Sequence, residues 1–361
     1  MNDTLNVLAH SNAQLGVGEA ARRLISLLNY IGLRVNTVPL RASRSLQVDQ
    51  TTDSANHALV PAASISCVNP DQLGYVLSKF PQLLSSDYKH IGFWAWELED
   101  CPKWFKFAAQ NVDEIWTVSD FCTVSFRQLG RSQVRKITLP VPDRESFAPG
   151  SWVDLSLGES PFTVLTSFDY LSDINRKNPF GAIEAYKMAF KSSGNTRLIV
   201  KSINGSRFSA AQDALKGLAD GREDIIFVDD YLSQQDNLKL LALSDVFLSL
   251  HRAEGYGINI VDAMSLGTTV ISTGYSGNLD FQNEENSILV PYELVPLEMY
   301  AENKLISRWA EPDLEFAAAK LKYLEKEPIE RKRLGFAGAS YVRSNLGILN
   351  AATNFAKALN A

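Results

Sequence analysis

Two α/β domains, each built on a doubly wound parallel sheet, are what this sequence predicts, and three observations carry that reading. The chain has 361 residues, which at about 150 residues per domain is enough for two. Short apolar runs alternate with amphipathic helical patterns, the arrangement that lays parallel strands side by side. The alternation lapses once, between Pro142 and Pro161, and then restarts. The simplest architecture is a pair of units of similar size facing each other across a cleft. They divide as 1–145, a linker at 146–160, a second domain at 161–340, and a closing helix at 341–361 that packs back on the first domain.

In the first half, residues 5–9 read as an apolar strand, followed by a glycine-bearing turn. Residues 19–31 then place apolar side chains at Ala20, Leu24, Leu27, Leu28 and Ile31, a helical period. Gly32 ends that helix, and residues 35–40 form the next strand. Further strands are predicted at 64–68, 90–94, 114–118 and 136–139. The stretch DRESFAPGSWVDLSLGES is rich in turn formers and has no helical face, which makes it the linker. Beyond it, strands fall at 162–167, 196–201, 225–228, 246–249 and 269–272. Helices lie between them at 179–190, 210–219 and 233–243, with another holding 260–266. From about Pro312 the chain is mostly helical.

Composition narrows the function. Apolar residues make up 45% of the chain and charged residues 21%, as in an ordinary globular protein. No apolar run approaches the ~20 residues that span a bilayer. The opening MNDTLNVLAHSN lacks the basic start and apolar centre of a secretory signal. Three cysteines, Cys67, Cys101 and Cys122, have no metal-ligand spacing and fit a reducing cytoplasm. The net charge is −6, yet residues 1–143 carry 13 basic and 13 acidic side chains. The surplus acid therefore lies beyond Asp143. That is not the footprint of a nucleic-acid binder, and a neutral first half has little electrostatic pull toward anionic lipid.

Ligands of doubly wound sheets bind beyond the carboxyl ends of the strands, so the loops there are the candidates. The first is Gly16-Val17-Gly18-Glu19-Ala20-Ala21. Its two glycines let the backbone approach an oxygen-rich ligand at the start of a helix. It matches a GxGxxA dinucleotide fingerprint, but no Asp or Glu lies between Ala20 and Val48 to meet the ribose that NAD presents. NADP read by Arg41 or Arg44, a turn contacting a sugar or phosphate, and a turn needed only for tight packing all stay open.

The strongest signal is HRAEGYGINIVDAM, from His251 to Met264. A strand ends in a charged, glycine-flanked loop that opens an apolar helix. The intervening N–H groups, at Gly255, Tyr256, Gly257 and Ile258 toward the helix N-terminus, suit anionic or hydroxyl oxygens. Glu254 and Asp262 are eight positions apart, and a carboxylate such as Asp262 can accept both hydroxyls of a ribose. An acidic cap on a core helix is the alternative.

Glu254-Gly255-Tyr256-Gly257, then Ala263-Met264 and the run Gly267 to Gly274, resemble the donor-binding signature of the family 4 retaining glycosyltransferases. That family carries two glutamates separated by seven residues; here Asp262 stands in the second place. Arg176-Lys177-Asn178-Pro179 and Ile183-Glu184-Ala185-Tyr186 resemble the first loop and helix of its donor domain. Gly92 to Leu98, Pro140 to Asp143, Tyr275 to Asn278 and Trp309 to Pro312 resemble further stretches of the family or one of its subgroups. The resemblance runs from about Leu5 to Ser340 and is most specific over Glu254 to Gly274.

The resemblance implies a two-domain Rossmann-like fold of the GT-B type, with the donor, a nucleotide-diphosphate sugar, held by the second domain. It places Lys177 on the donor diphosphate. The family's usual Gly-Arg after that first strand is absent, so Arg176 supplies the second cation, with Lys201 as a further candidate. A solvated surface charge is the alternative for each. His251 is assigned either to the diphosphate or to structure. The implied reaction is retaining, with departure and attack on one face and Glu254 on sugar hydroxyls rather than acting as nucleophile. No Asp-x-Asp tripeptide occurs, so neither metal nor cofactor is expected. The acceptor is a growing polysaccharide or glycoconjugate, with Glu97 on the acceptor side. His90 reads as strand-bound. Trp94, Trp96 and Trp104 either stack a sugar or fill core. Trp104-Phe105-Lys106-Phe107 is a candidate for peripheral contact with a membrane, unless those aromatics are buried. A sugar-nucleotide-binding protein without catalysis, suggested by Asp262 and the missing Gly-Arg, is the rival function. An oxidoreductase using NADP at the first glycine loop is another.

Overall fold

The computed structural model describes residues 4–40, 59–60, 63–85, 89–130, 133–157, 162–191, 195–299 and 305–360. The chain forms two units. The first takes Met1–Val141, Pro296–Arg308 and Asn345–Ala361; the second takes Pro142–Val295 and Trp309–Ser344.

In the first unit β1 (Thr4–Ala9), α1 (Gly16–Tyr30), β2 (Arg34–Pro39), β3 (Ser64–Cys67), α2 (Pro70–Lys79), β4 (His90–Trp94), α3 (Phe105–Gln110), β5 (Glu114–Thr117), α4 (Asp120–Arg127) and β6 (Gln133–Lys136) follow one another. The six strands form one parallel sheet in the order β2-β1-β3-β4-β5-β6. The strand order reverses between β1 and β3, the point where such sheets open a crevice. Helix α1 buries Ala20, Ala21, Leu24, Leu27 and Leu28, the face its period predicts. It starts at Gly16 rather than Glu19. The last strand is shifted from the expected 136–139 to Gln133–Lys136, pairing Thr117 with Lys136. Ile137 and Leu139 are buried just past it, and Ile137 N–H still donates to the Thr117 carbonyl of β5 at 2.8 Å, so the apolar pattern marks burial that outlasts the strand. Helices α2 to α4 were not legible individually; Pro70 at the start of α2 and Ser119 capping α4 through Cys122 N at 3.1 Å are their start signals.

The second unit repeats the plan with β7 (Phe162–Asp169), α5 (Ile174–Lys177), α6 (Pro179–Ala189), β8 (Thr196–Ile203), α7 (Ser209–Ala219), β9 (Ile225–Asp229), α8 (Gln234–Leu243), β10 (Val246–Ser249), α9 (Ile258–Ser265), β11 (Thr269–Thr273) and β12 (Ile288–Val290). Its parallel sheet has the order β12-β11-β10-β7-β8-β9. Val164, Val200 and Leu248 on the strands pack with Ile183 and Tyr186 of α6 in one core. The order reverses between β7 and β10. Residues 146–157, expected as linker, belong to this unit: the Trp152 ring is buried, and the Arg197 guanidinium lies 4.1 Å from its centroid.

A two-stranded sheet of β13 (Tyr292–Met299) and β14 (Leu305–Pro312) was not foreseen. Pro296 within β13 argues against a strand when only the sequence is seen. The helical end divides into α10 (Leu314–Lys326), α11 (Pro328–Leu346) and α12 (Ile348–Asn360). Helix α12 belongs to the first unit. Phe355 meets Trp116 edge-on with centroids 5.5 Å apart, and Arg135 donates to the Ala358 carbonyl. Among the described residues no helix is long and apolar enough to cross a membrane.

Candidate active site

The loops that follow β7 and β10 sit at the strand-order reversal of the second unit, and they carry most of the predicted residues. Asp173 caps α5 by accepting from Asn175 N at 2.9 Å. Asn178 ends that short helix in a left-handed conformation (φ 52°) and caps α6 through Gly181 N at 3.0 Å. Its side-chain amide also donates to the Leu250 carbonyl at 2.9 Å. One buried asparagine thus ties the β7 loop to the end of β10.

Arg252 strengthens that tie. Its backbone N–H donates to the Arg176 carbonyl at 2.7 Å, and its guanidinium to the Asn175 carbonyl at 2.6 Å. The same guanidinium grips both oxygens of Glu311, at 2.6 and 2.8 Å. Neither Arg252 nor Glu311 was singled out as a site residue; their charges are opposite, but 59 residues separate them.

Held this way, Arg176 and Lys177 converge on one carboxylate. Lys177 Nζ bonds Glu254 Oε1, and Arg176 Nη1 reaches Glu254 Oε2 at 3.4 Å and the Ala253 carbonyl at 2.8 Å. Glu254 is 8% exposed. Burial works to raise its carboxyl, but the charges of Lys177 and Arg176 outweigh that and hold it at about 2. It is a carboxylate throughout the neutral range and too weak a base to take a proton there.

The backbone of Glu254 is fixed as firmly as its side chain. Its N–H donates to Ser276 Oγ at 2.7 Å, and its carbonyl accepts from Gly277 N at 2.9 Å. A Cβ at Gly277 would stand 2.1 Å from the Gly255 carbonyl oxygen, so only glycine permits this approach. Tyr256 packs on Phe281 with ring centroids 5.2 Å apart. Gly257 turns the chain with φ 96°, and Ile258 begins α9.

His251 is fully buried. Its Nε2 faces two acceptors, the Tyr275 carbonyl at 3.2 Å and Asn278 Oδ1 at 3.1 Å, and therefore carries the ring proton. Its Nδ1 accepts from Ser249 at 3.0 Å. Burial lowers its pKa, so it is a neutral ring with both nitrogens engaged within the protein.

Asp262 does not join the Glu254 cluster through any of these bonds. It lies inside α9, whose cap position is Gly257, so it is not the helix cap. Its Oδ1 pairs with Arg144 Nη1 at 3.0 Å. Lys201 is buried at the end of β8 with its ammonium on the carbonyls of Ser202 and Asp230. Burial lowers it to about 8 despite the nearby Asp229, Asp230 and Asp169.

In the first unit, packing requires a glycine at Gly18 but not at Gly16. A Cβ at Gly18 would lie 2.6 Å from the His10 carbonyl oxygen and 2.8 Å from that of Ala13, whereas Gly16 has open space. Arg22 donates to the carbonyls of Ser11 and Ala13 at 2.8 and 3.1 Å and pairs with Glu19 at 2.9 Å. The loop is thus held by its own cation. Arg41 and Arg44 lie outside the described residues. His90 is strand-bound as expected, with Nε2 2.7 Å from Ser66 Oγ and Nδ1 3.0 Å from the Asn111 carbonyl oxygen. Glu97 is half-buried in the loop after β4. Trp94 is fully buried, whereas Trp104 and Phe107 are exposed on either side of buried Phe105.

Residues 171–302, which contain the β7 and β10 loops and α9, match the family model of the glycosyl transferases group 1. Over that stretch the chain is similar to this family. No curated protein matches it by sequence. Among solved structures, Anabaena HepE in complex with UDP and glucose aligns with a TM-score of 0.69 at 13% identity, over 99% of each chain. Sucrose-phosphate synthase from Thermosynechococcus elongatus aligns with a TM-score of 0.70 at 14% identity, over 99% of this chain and 98% of that one. A glycosyltransferase from Rickettsia africae gives 0.66 at 14% identity, over 98% and 97%. At these identities the likeness is one of fold, and the fold is that of GT-B glycosyltransferases.

Proposed function

We propose that this chain is a glycosyltransferase that moves a sugar from a nucleotide-diphosphate sugar to a saccharide or glycoconjugate acceptor, with retention at the anomeric carbon. The observation that carries the reading is the convergence of Lys177 and Arg176 on Glu254 at the strand-order reversal. Transfer breaks the bond between the anomeric carbon and the diphosphate oxygen, and negative charge grows on the departing diphosphate. Fixed cations aimed at that charge lower the barrier. Here two cations are already held in place with Glu254 as their counter-ion, and the donor's diphosphate takes that role when it binds. Glu254 then accepts hydrogen bonds from sugar hydroxyls. The acceptor oxygen attacks the face from which the diphosphate leaves, and its proton passes to the departing phosphate oxygen.

Asp262 takes the ribose hydroxyls, and Glu97 is proposed on the acceptor side. With Lys177 and Arg176 supplying the charge, the transfer runs without a metal. The complexes of HepE with UDP and with UDP-glucose make uridine nucleotides the first donors to test. A binding protein without catalysis is the second reading; Asp262 in place of the family's second glutamate and the missing Gly-Arg favour it.

Thermal melting against UDP-, GDP-, ADP- and dTDP-sugars, with NADPH alongside, tests both. A ligand at about a hundred times its Kd adds about 2.7 kcal/mol, an easily visible shift. A shift with one nucleotide family, followed by transfer or slow donor hydrolysis, is the expected result. Binding with neither reaction leaves the second reading, and a shift with NADPH alone overturns both.

A further inference from the structure

Arg144 lies just past the boundary between the units, in the turn-rich stretch that follows Val141. Its side chain is only 6% exposed and that of Asp262 12%. The guanidinium reaches α9 at two points one turn apart: Nη1 is 3.0 Å from Asp262 Oδ1 and donates to Ser265 Oγ at 3.3 Å. Ser265 in turn gives its own proton to the Asp262 carbonyl at 2.7 Å. The three groups form a closed network on one face of the helix.

We propose that Arg144 is the positioning residue for Asp262, fixing its carboxylate in the orientation that receives the ribose hydroxyls of the donor. This rests on the donor reading above. An aspartate has one methylene fewer than a glutamate, so it has less reach with which to correct its own aim. A guanidinium presents its donors in a rigid fork, and anchoring at Ser265 sets where that fork stands. A carboxylate has about four lone-pair sites, so holding Arg144 and receiving a sugar hydroxyl are compatible. Arg144 itself need not touch the donor.

The test measures affinity for paired ribo- and 2′-deoxynucleotides, UDP with dUDP, GDP with dGDP and ADP with dADP, by calorimetry on the full chain. The proteins are wild type, Arg144→Lys, Arg144→Gln, Asp262→Asn and the double variant Arg144→Gln/Asp262→Asn. Arg144→Lys keeps a charge opposite Asp262, so it remains informative should Arg144→Gln fail to fold, which unliganded melting reports. The expected result is a loss of about tenfold or more for the ribo member in every single variant, with a clearly smaller loss for the deoxy member, which presents only its 3′-hydroxyl. The double variant should be no weaker than Asp262→Asn alone, because both act through one carboxylate. Unchanged ribo affinity in both Arg144 variants overturns the proposal, as does equal loss for both members of a pair, which marks a merely structural ion pair. A wild type that binds none of the six nucleotides overturns the donor reading, and this proposal falls with it.

Discussion

Lys177 is the side chain on which the chemistry turns most directly. Lys177→Ala should lower turnover at saturating donor by at least about tenfold, because one cation is lost where charge develops. Initial rates of nucleotide release check this, and near-normal turnover would remove Lys177 from the site. Glu254 makes a separate prediction about acid. Its carboxyl is held at about 2 against an ordinary 4.5, so it stabilises the fold fully above pH 4.5. That contribution is lost as the pH falls from 4.5 toward 2. Urea midpoints across that window should fall more steeply for wild type than for Glu254→Gln, although the variant is the less stable at pH 7. Arg176, Lys177 and Glu254 were legible from the sequence because each stands in a short loop with recognisable neighbours. Arg144 was not: its partner is a distant residue on α9, and its own surroundings read only as turn formers.

At the scale of elements, glycines decide more than helical or strand preference does. Gly277→Ala should cost about 1–3 kcal/mol by urea unfolding, because the added carbon meets the Gly255 peptide at 2.1 Å. The first glycine turn offers a paired comparison. Gly18→Ala should destabilise through the His10 and Ala13 carbonyls, while Gly16→Ala, with nothing within 4 Å, should stay within about 0.5 kcal/mol. Equal effects at the two positions would show that packing does not explain the turn. The alternation of strands and helices was legible because parallel strands buried on both faces read as continuous apolar runs, as in Ile199, Val200 and their neighbours. Strand ends were less so: Ile137 and Leu139 are buried without being part of β6. The β13–β14 sheet escaped because Pro296 sits inside it.

At the scale of the whole molecule, two units were legible from length and from the lapse after Pro142, but their true segments were not. The chain returns to the first unit twice, at Pro296–Arg308 and at Asn345–Ala361, and no local pattern announces a return. Phe355→Ala should cost about 3–5 kcal/mol, felt by the first unit alone. Hydrogen exchange should rise in β5 and α12 while the second unit's sheet stays protected; an equal rise in both would contradict the division. That late return also has a history in time. As the chain leaves the ribosome, Trp116 emerges 239 residues ahead of Phe355, a wait of roughly 10–50 s at ordinary rates of synthesis. For that interval the indole has no partner in α12, and the second unit, complete at Ser344, has all its segments first. The half of the protein that is made earliest is finished last.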